Sequence, residues 1–200
     1  MDVIVSPEEA DVQECDVLVA GIFKDERPLR GSSGWIDWRL NGLLSRFLIE
    51  KKLTGDWKET TLIPSQGRMM PRMILLLGLG EVKEYSYLRL RDLTLHLLET
   101  FKKLGTSNVC FSLPYEESYP VDCGKSAEVL IEGVADCLDL GRGLLDGEWI
   151  HHLRLFFAGG EEHFSEILFG VQTAQSILQE RIQIRIFVPS EDHFVPHPKI

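Results

Sequence analysis

The segment MILLLGLGE at residues 73–81 places a Gly-x-Gly turn and a carboxylate directly after an apolar run. A dinucleotide-binding turn has the pattern G-x-G-x-x-G, because its third glycine lets a helix pack on the strand and direct its N-terminus at phosphate. Gly78 and Gly80 fit this pattern, but Lys83 stands at the third position. The segment therefore favours a sharp exit from a central strand, which glycine permits, over a cofactor site.

The other candidates for chemistry have spacings typical of solvated surfaces. His151 and His152 are adjacent and point to opposite faces of a predicted strand, so they cannot chelate one metal ion. The segment CGKS at 123–126 lacks the first glycine of a phosphate-binding loop, and no G-x-S-x-G motif occurs. Acidic residues recur between 128 and 139 at the spacing of one solvent-exposed helix face. These patterns predict no metal site, no cofactor and no catalytic residue.

The formal net charge of −10 lies almost entirely in the second half of the chain. Residues 1–110 carry 15 basic and 16 acidic side chains, whereas residues 111–200 carry 6 and 15. This balance disfavours nucleic acids and anionic membranes as partners, since both are bound through Lys and Arg. No apolar run approaches the roughly 18 residues of a membrane span, and residues 1–13 lack the order of a secretory signal. We expect a cytoplasmic protein.

The elements that must position these residues alternate along the chain. Apolar runs and strict alternation predict six strands, at 16–22, 58–64, 73–77, 108–113, 151–157 and 181–188. Helical periodicity predicts helices at 35–51, 86–104, 126–140 and 161–180, the first capped by Ser32 or Ser33 and the last interrupted at Gly170. The second and third strands pair antiparallel across a short loop. We therefore predict an α/β fold with a mixed, mostly parallel six-stranded sheet and helices on both faces, forming one domain over 1–188, with a mobile tail at 189–200.

The order of several motifs along residues 14–160 resembles the N-terminal domain of the leucyl (cytosol) aminopeptidases. The Val-rich strand DVLVAGIF precedes a helix containing the family's Gly-x-Leu-Ser, here 42–45. A turn from Gly55 leads into a strand, and a strand of the form V-L-L-V-G-L-G follows at 74–80. A long helix then ends in K-x-L-G at 102–105. In this family the Gly-Leu-Gly turn is a strand exit, so the resemblance agrees with the reading of Gly78 and Gly80 above.

This resemblance implies a fold similar to macro domains and a chain without the peptidase machinery. The family's chemistry lies in a separate C-terminal domain that holds two metal ions through the signature N-T-D-A-E-G-R. The local echo here, DCLDLGR at 136–142, puts Leu138 and Leu140 where two ligand acids belong. Leucine cannot bind a metal ion. Metal-dependent aminopeptidase activity is therefore only the third hypothesis for this chain.

The leading hypothesis is a non-catalytic, stand-alone domain that acts in protein assembly or regulation. Its expected partners are a second copy of the chain or a peptidase-type protein. The predicted edge strand at 181–188 is the expected contact surface, because edge strands offer unpaired backbone groups. Its outward residues would be Arg181, Gln183, Arg185 and Phe187.

The alternative hypothesis is a macro-domain-like module that binds ADP-ribose or a related nucleotide. Open α/β sheets bind ligands at the carboxyl ends of their strands. The residues expected there are Gly31, Ser32, Ser33, Gly34, Gly78, Gly80 and Glu81, with the glycine pair at 159–160 nearby. Backbone N–H groups of the Gly-Ser-Ser-Gly loop would hold the phosphates. The acidic second half of the chain argues against a diphosphate ligand.

Overall fold

Seven strands form one sheet in the computed structural model, which describes residues 1–139 and 147–189. The strands are β1 (Asp2–Ser6), β2 (Val17–Phe23), β3 (Thr60–Pro64), β4 (Met73–Gly80), β5 (Asn108–Ser112), β6 (Arg154–Ala158) and β7 (Arg185–Phe187). Their order is β3-β4-β2-β5-β6-β1-β7. All neighbours pair parallel except β3 and β4, which are antiparallel. The predicted mixed, mostly parallel α/β sheet is confirmed, as is its one antiparallel pair.

The predicted count of six strands was wrong, because it omitted β1. This strand has only five residues, and its partners β6 and β7 lie at the other end of the chain, where Asp2 is in register with Arg154 and Arg185. The pairing of β1 with strands so distant in sequence cannot be predicted from local periodicity. β1 lies next to the edge strand, and it is nevertheless well covered, since the side chains of Val3 and Val5 are fully buried.

Six helices connect the described strands. They are α1 (Gly31–Arg39), α2 (Leu43–Ile49), α3 (Tyr87–Leu104), α4 (Cys123–Asp139), α5 (Gly147–His151) and α6 (Gly160–Leu178). The single helix predicted at 35–51 is therefore two, because Asn41 and Gly42 adopt left-handed backbone angles, with φ of 55° and 72°. The Asp37 carboxylate then accepts hydrogen bonds from the amides of Leu44 and Ser45, at 2.8 and 3.1 Å. These bonds satisfy amides in the first turn of α2 and stabilise its N-terminus.

Helices cover both faces of the sheet, as predicted. One apolar core joins α3, α4 and α6 to one face, with Phe101, Ile131 and Val171 fully buried. A smaller core joins α1 and α2 to the other face through Ile36 and Leu44. The central strand β2 is buried along its whole length, which explains its uninterrupted apolar sequence.

The last third of the chain departs most from the predicted boundaries. Residues 147–151 form α5, so the strand predicted at 151–157 begins at Arg154. β7 lies at the sheet edge as predicted, but it spans three residues instead of eight. Gly170 does not interrupt α6. The end of the helix predicted at 126–140 and the tail from 190 onward lie outside the described residues.

Candidate functional site

A cleft of about 580 Å³ lies where β5 and β6 end, in the position where open α/β sheets bind ligands. Its walls are the loop that follows β5 and the first turns of α4 and α6. Carboxylates dominate its lining: Glu116, Glu117, Asp122, Glu162 and Glu166. We call this feature the acidic cleft. The lining contains no lysine or arginine, so the cleft favours cations over phosphate groups.

Burial keeps one tyrosine and one cysteine of the acidic cleft in their neutral forms. Burial raises the pKa of the Tyr115 hydroxyl to about 12, and its ring lies 4.1 Å from that of His163. Burial likewise raises the pKa of the Cys123 thiol to about 12. A thiol must ionise to act as a nucleophile, so Cys123 is poorly suited to covalent chemistry at neutral pH.

Protein carboxylates also lie beside three helix N-termini at this end of the sheet. At α4, the amide of Lys125 donates to Asp122 Oδ1 at 2.6 Å, and the amide of Gly124 donates to Glu166 Oε1 at 3.3 Å. At α6, Glu9 Oε1 lies 2.7 Å from the position that a Cβ on Gly160 would take. At α1, Glu116 Oε1 lies 3.7 Å from the equivalent position on Gly31. A helix N-terminus attracts anions, and here the chain supplies them itself.

Residues Gly31, Ser32, Ser33 and Gly34 form the first turn of α1, which corrects the prediction of a serine cap. The residue at the cap position is Arg30, whose carbonyl accepts the Gly34 amide at 3.0 Å. The three amides before Gly34 have no acceptor within the helix, as in any first turn. The Ser33 hydroxyl donates to the Arg30 carbonyl, whereas the buried Ser32 hydroxyl has no hydrogen-bond partner.

The backbone amides of the two glycines in the segment 73–81 are hydrogen-bonded to the protein's own backbone. The amide of Gly78 donates to Glu59 O at 2.7 Å, and that of Gly80 donates to Gly55 O at 3.0 Å. A Cβ on Gly78 would lie 1.9 Å from a carbonyl oxygen of the same 54–59 loop. Neither amide is available to a phosphate group. These hydrogen bonds remove the backbone donors that the ligand-binding prediction for Gly78 and Gly80 required, and the role of the two glycines in a tight strand exit explains the sequence.

Glu81 and two of the predicted contact residues near β7, Arg181 and Arg185, form local ion pairs. The Glu81 carboxylate lies 2.6 Å from Lys83 Nζ. Arg185 pairs with Asp2 at 2.6 Å, and Arg181 bridges two acids of α4. Gln183 precedes β7, and the ring of Phe187 is 47% exposed. Of the predicted contact residues, Phe187 has the free apolar surface that a protein interface needs.

A second exposed surface lies on α1 and was not predicted as a site. The rings of Trp35 and Trp38 are 40% and 66% exposed and stack at 5.0 Å. The Arg39 guanidinium lies over both rings and pairs at 2.6 Å with the buried carboxylate of Asp11. Beside them, Arg68 donates to the Arg39 carbonyl at the edge of a shallow groove of about 600 Å³. We call Trp35, Trp38, Arg39 and Arg68 the tryptophan surface.

The sequence carried signals for both surfaces. The segment PYEESYPVD at 114–122 places three acids between a strand and the helix that follows it. The segment WIDWR at 35–39 spaces two tryptophans by three residues. What the sequence did not show is that α1 turns these rings outward. No group of three His, Cys, Asp or Glu side chains that could hold a metal ion occurs within residues 1–139 and 147–189.

Several solved macrodomains share this fold. The Oceanobacillus iheyensis macrodomain with MES bound matches with a TM-score of 0.61 at 14% identity, over 90% of this chain and 92% of that one. The Trypanosoma brucei macrodomain in complex with ADP-ribose matches with a TM-score of 0.60 at 17% identity, over 85% and 68% of the two chains. At these identities the likeness shows the fold alone. The class of the protein is therefore macrodomain-like α/β.

The sequence match identifies the family. Residues 19–138 match the model of the cytosol aminopeptidase family, N-terminal domain, and the chain belongs to this family. The probable cytosol aminopeptidase of Cyanothece sp. is 25% identical over 134 residues, which are 67% of this chain and 27% of that protein. That of Alkaliphilus oremlandii is 25% identical over 183 residues, 86% and 35% of the two chains. The chain thus spans about a quarter to a third of the length of these relatives.

The resemblance predicted from the motifs is confirmed, and the matched residues lie within the predicted range of 14–160. The match is to the domain that precedes the family's catalytic domain. In the part of the chain that the structure describes, no helix has the length and apolarity to cross a bilayer.

Proposed function

We propose that this chain is a non-catalytic domain that acts through contacts with other proteins, in the assembly or regulation of a cytoplasmic peptidase. The tryptophan surface is the observation that carries this proposal. Tryptophan and arginine are the residues most enriched among those that dominate binding at protein interfaces. A monomeric protein rarely leaves two stacked indole rings in water without a partner for them.

The tryptophan surface is also held rigid before any partner arrives. Arg39 contacts both rings and is itself fixed by Asp11, whose side chain is only 3% exposed. Ordering flexible side chains on binding opposes affinity by about 0.5–1.5 kcal/mol each. Rings that are already stacked avoid much of this loss. The flanking guanidinium of Arg68 adds hydrogen-bond donors for the rim of an interface.

The test is a calorimetric titration of the full chain into the cytosol aminopeptidase of the same organism. We expect saturable binding, and we expect Trp38→Ala to weaken it by at least tenfold, since residues of this kind contribute about 2 kcal/mol or more. The matched control is Leu88→Ala, because Leu88 is 80% exposed on the unrelated helix α3. Equal affinities for the wild type and Trp38→Ala would contradict the role given to this surface.

Nucleotide binding is the second candidate, and one observation favours it. The Ser32 hydroxyl is buried without a partner in the first turn of α1, whose first three amides have no acceptor within the helix. A structural neighbour, the Trypanosoma brucei macrodomain, is described in complex with ADP-ribose. Against this candidate stands the carboxylate beside the same helix end, Glu116, together with the acidic cleft. Two bound phosphates would have to displace or neutralise these acids.

A titration with ADP-ribose separates the two candidates. We expect no binding to the wild type at micromolar ligand, and weak binding to appear in Glu116→Gln if this carboxylate is the obstacle. Micromolar binding to the wild type that is lost in Ser32→Ala would favour the nucleotide reading instead. Ser33→Ala is the matched control, since the Ser33 hydroxyl is already bonded within the turn.

A further inference from the structure

The outer face of α6 is unlike the outer face of every other long helix described here. Residues 167–179, thirteen in a row, contain no charged side chain, although 26% of the chain is charged. The inner side of this run is buried in the core through Ile167, Val171 and Leu178. Its outer side exposes Phe169 by 71% and Ile177 by 59%. By contrast, α3 and α4 present arginines, lysines and acids to solvent.

We propose that α6 is the contact between two copies of this chain, packed antiparallel about a twofold axis at Thr173. This inference rests on the proposed function, because it names a second copy as one of the proteins that the domain contacts. Phe169 and Ile177 are each four residues from Thr173. An antiparallel pairing centred on Thr173 therefore brings Phe169 of one copy onto Ile177 of its partner, and the reverse.

The side chains between these two anchors suit such a pairing. The Thr173 hydroxyl donates to the Phe169 carbonyl at 2.9 Å, so its polar group is satisfied within its own helix and does not need water. The exposed polar residues Gln172 and Ser176 are uncharged, so burying them in an interface does not require the desolvation of an ion. Residues four apart form the ridges that interdigitate when helices pack.

Charge argues for a second copy as the occupant. Two copies that each carry a net charge of −10 repel one another wherever their acidic surfaces meet. An uncharged, self-complementary face is the place where two identical chains approach with the least repulsion. A neighbouring groove of about 430 Å³ is also lined by uncharged residues and extends this surface toward β7: Gln175, Ser176, Gln179, Ile182, Gln183 and Ile184.

The size of the face predicts a weak dimer. A run of thirteen helical residues is about 20 Å long, and a helix is about 10 Å wide. Even with the groove, the contact falls below the roughly 800 Å² per partner of a standard stable interface. We therefore expect a dissociation constant on the order of micromolar, which sedimentation velocity measures directly.

Cysteine cross-linking tests the position of the axis. All four native cysteines are buried, so a thiol introduced on α6 is the reactive one. In Thr173→Cys the two thiols meet at the axis, and we expect a disulfide-linked dimer under mild oxidation. In the control Gln179→Cys, each thiol is six residues from the axis, and the pair is about 18 Å apart, too far to be joined.

Sedimentation velocity of the full chain completes the test. We expect a concentration-dependent dimer that Phe169→Asp abolishes and that the control Leu88→Asp retains. A dimer that persists in Phe169→Asp, or cross-linking that is equal in the two cysteine variants, would overturn the α6 pairing but not the proposed function. In that case Phe187→Asp tests the β7 edge. A wild type that stays monomeric at about 0.1 mM, well above the micromolar dissociation constant expected for a contact of this size, would also overturn the pairing. The peptidase titration would then decide the proposed function by itself.

Discussion

Replacing Gly170 with alanine should destabilise the protein, even though alanine is the better helix former. Gly170 lies in the middle of α6, where it faces α4 at its closest approach. A Cβ at this position would lie 2.0 Å from the carbonyl oxygen of Gly124 and 3.0 Å from its Cα. Both atoms belong to the backbone, so no side chain can rotate away to make room.

The size of the effect follows from two opposing contributions. Glycine to alanine in a helix interior normally stabilises by about 1 kcal/mol. An ordinary contact at this position begins near 3.4 Å, so the methyl group falls short by more than an ångström, and α6 must move away from α4. Overpacking of this kind costs about 1–3 kcal/mol and occasionally more. Because the clash is with backbone, we expect a cost in the upper part of this range, about 2–3 kcal/mol, and therefore a net loss of about 1–2 kcal/mol.

Urea denaturation followed by circular dichroism measures this loss, and thermal unfolding should show a decrease in Tm of roughly 2–8 °C for a chain of this length. The control is Ser176→Ala on the exposed side of the same helix, because serine already has a Cβ and the change adds no atom. That variant should be unchanged or slightly stabilised. If Gly170→Ala were as stable as the wild type or more so, α6 and α4 would have to lie farther apart than the 2.0 Å approach to Gly124 implies.

Three further predictions concern charge and activity. Arg39→Ala should lower the free energy of unfolding by about 3–5 kcal/mol, because it leaves the buried Asp11 carboxylate unpaired; Arg68→Ala, with no such partner described, should change it by less than 1 kcal/mol. The hydrogen bonds from Arg91 and Arg181 lower the pKa of Asp136 below its ordinary 3.8, so their stabilisation is complete above that pH and is lost as the pH falls through the lowered pKa. Denaturation of Asp136→Asn and wild type should therefore differ at pH 7 and converge in acid; a difference that is constant with pH would contradict this assignment. Finally, the chain should not hydrolyse a leucine anilide with added manganese or zinc, and turnover above a metal-only blank would refute its non-catalytic assignment.

The macrodomain-like fold could be predicted because it depends on signals that are local in sequence. The buried strands β2 and β4 are apolar throughout, and α3 shows a clean apolar stripe that ends at Gly105. These elements also carry the motifs that revealed the family. β1 could not be predicted in this way, because its short apolar run acquires meaning only when β6 and β7 lie on either side of it.

Which backbone amides and side chains of these surfaces are free to bind depends on contacts that no local pattern records. A Gly-x-Gly turn looks the same whether its amides are free or bonded, and only the loop at 54–59 decides that Gly78 and Gly80 are bonded. The serines at 32–33 looked like caps, but Arg30 takes that position, since the chain enters α1 one turn earlier than its apolar spacing indicates. Sequence alone therefore overestimated how many backbone amides of these glycines are available to a ligand.

By itself, the sequence determined the alternation of strands and helices, the family, and the acidic character of the second half. Each depends on residue type and spacing along a short window, which is how local backbone preference and charge act. Only the tertiary structure decided that carboxylates from distant segments, such as Glu9 and Glu166, lie beside helix N-termini, and that α1 and α6 leave aromatic side chains exposed. Such features arise where segments far apart in sequence meet, because burial and electrostatic pairing depend on distances in space.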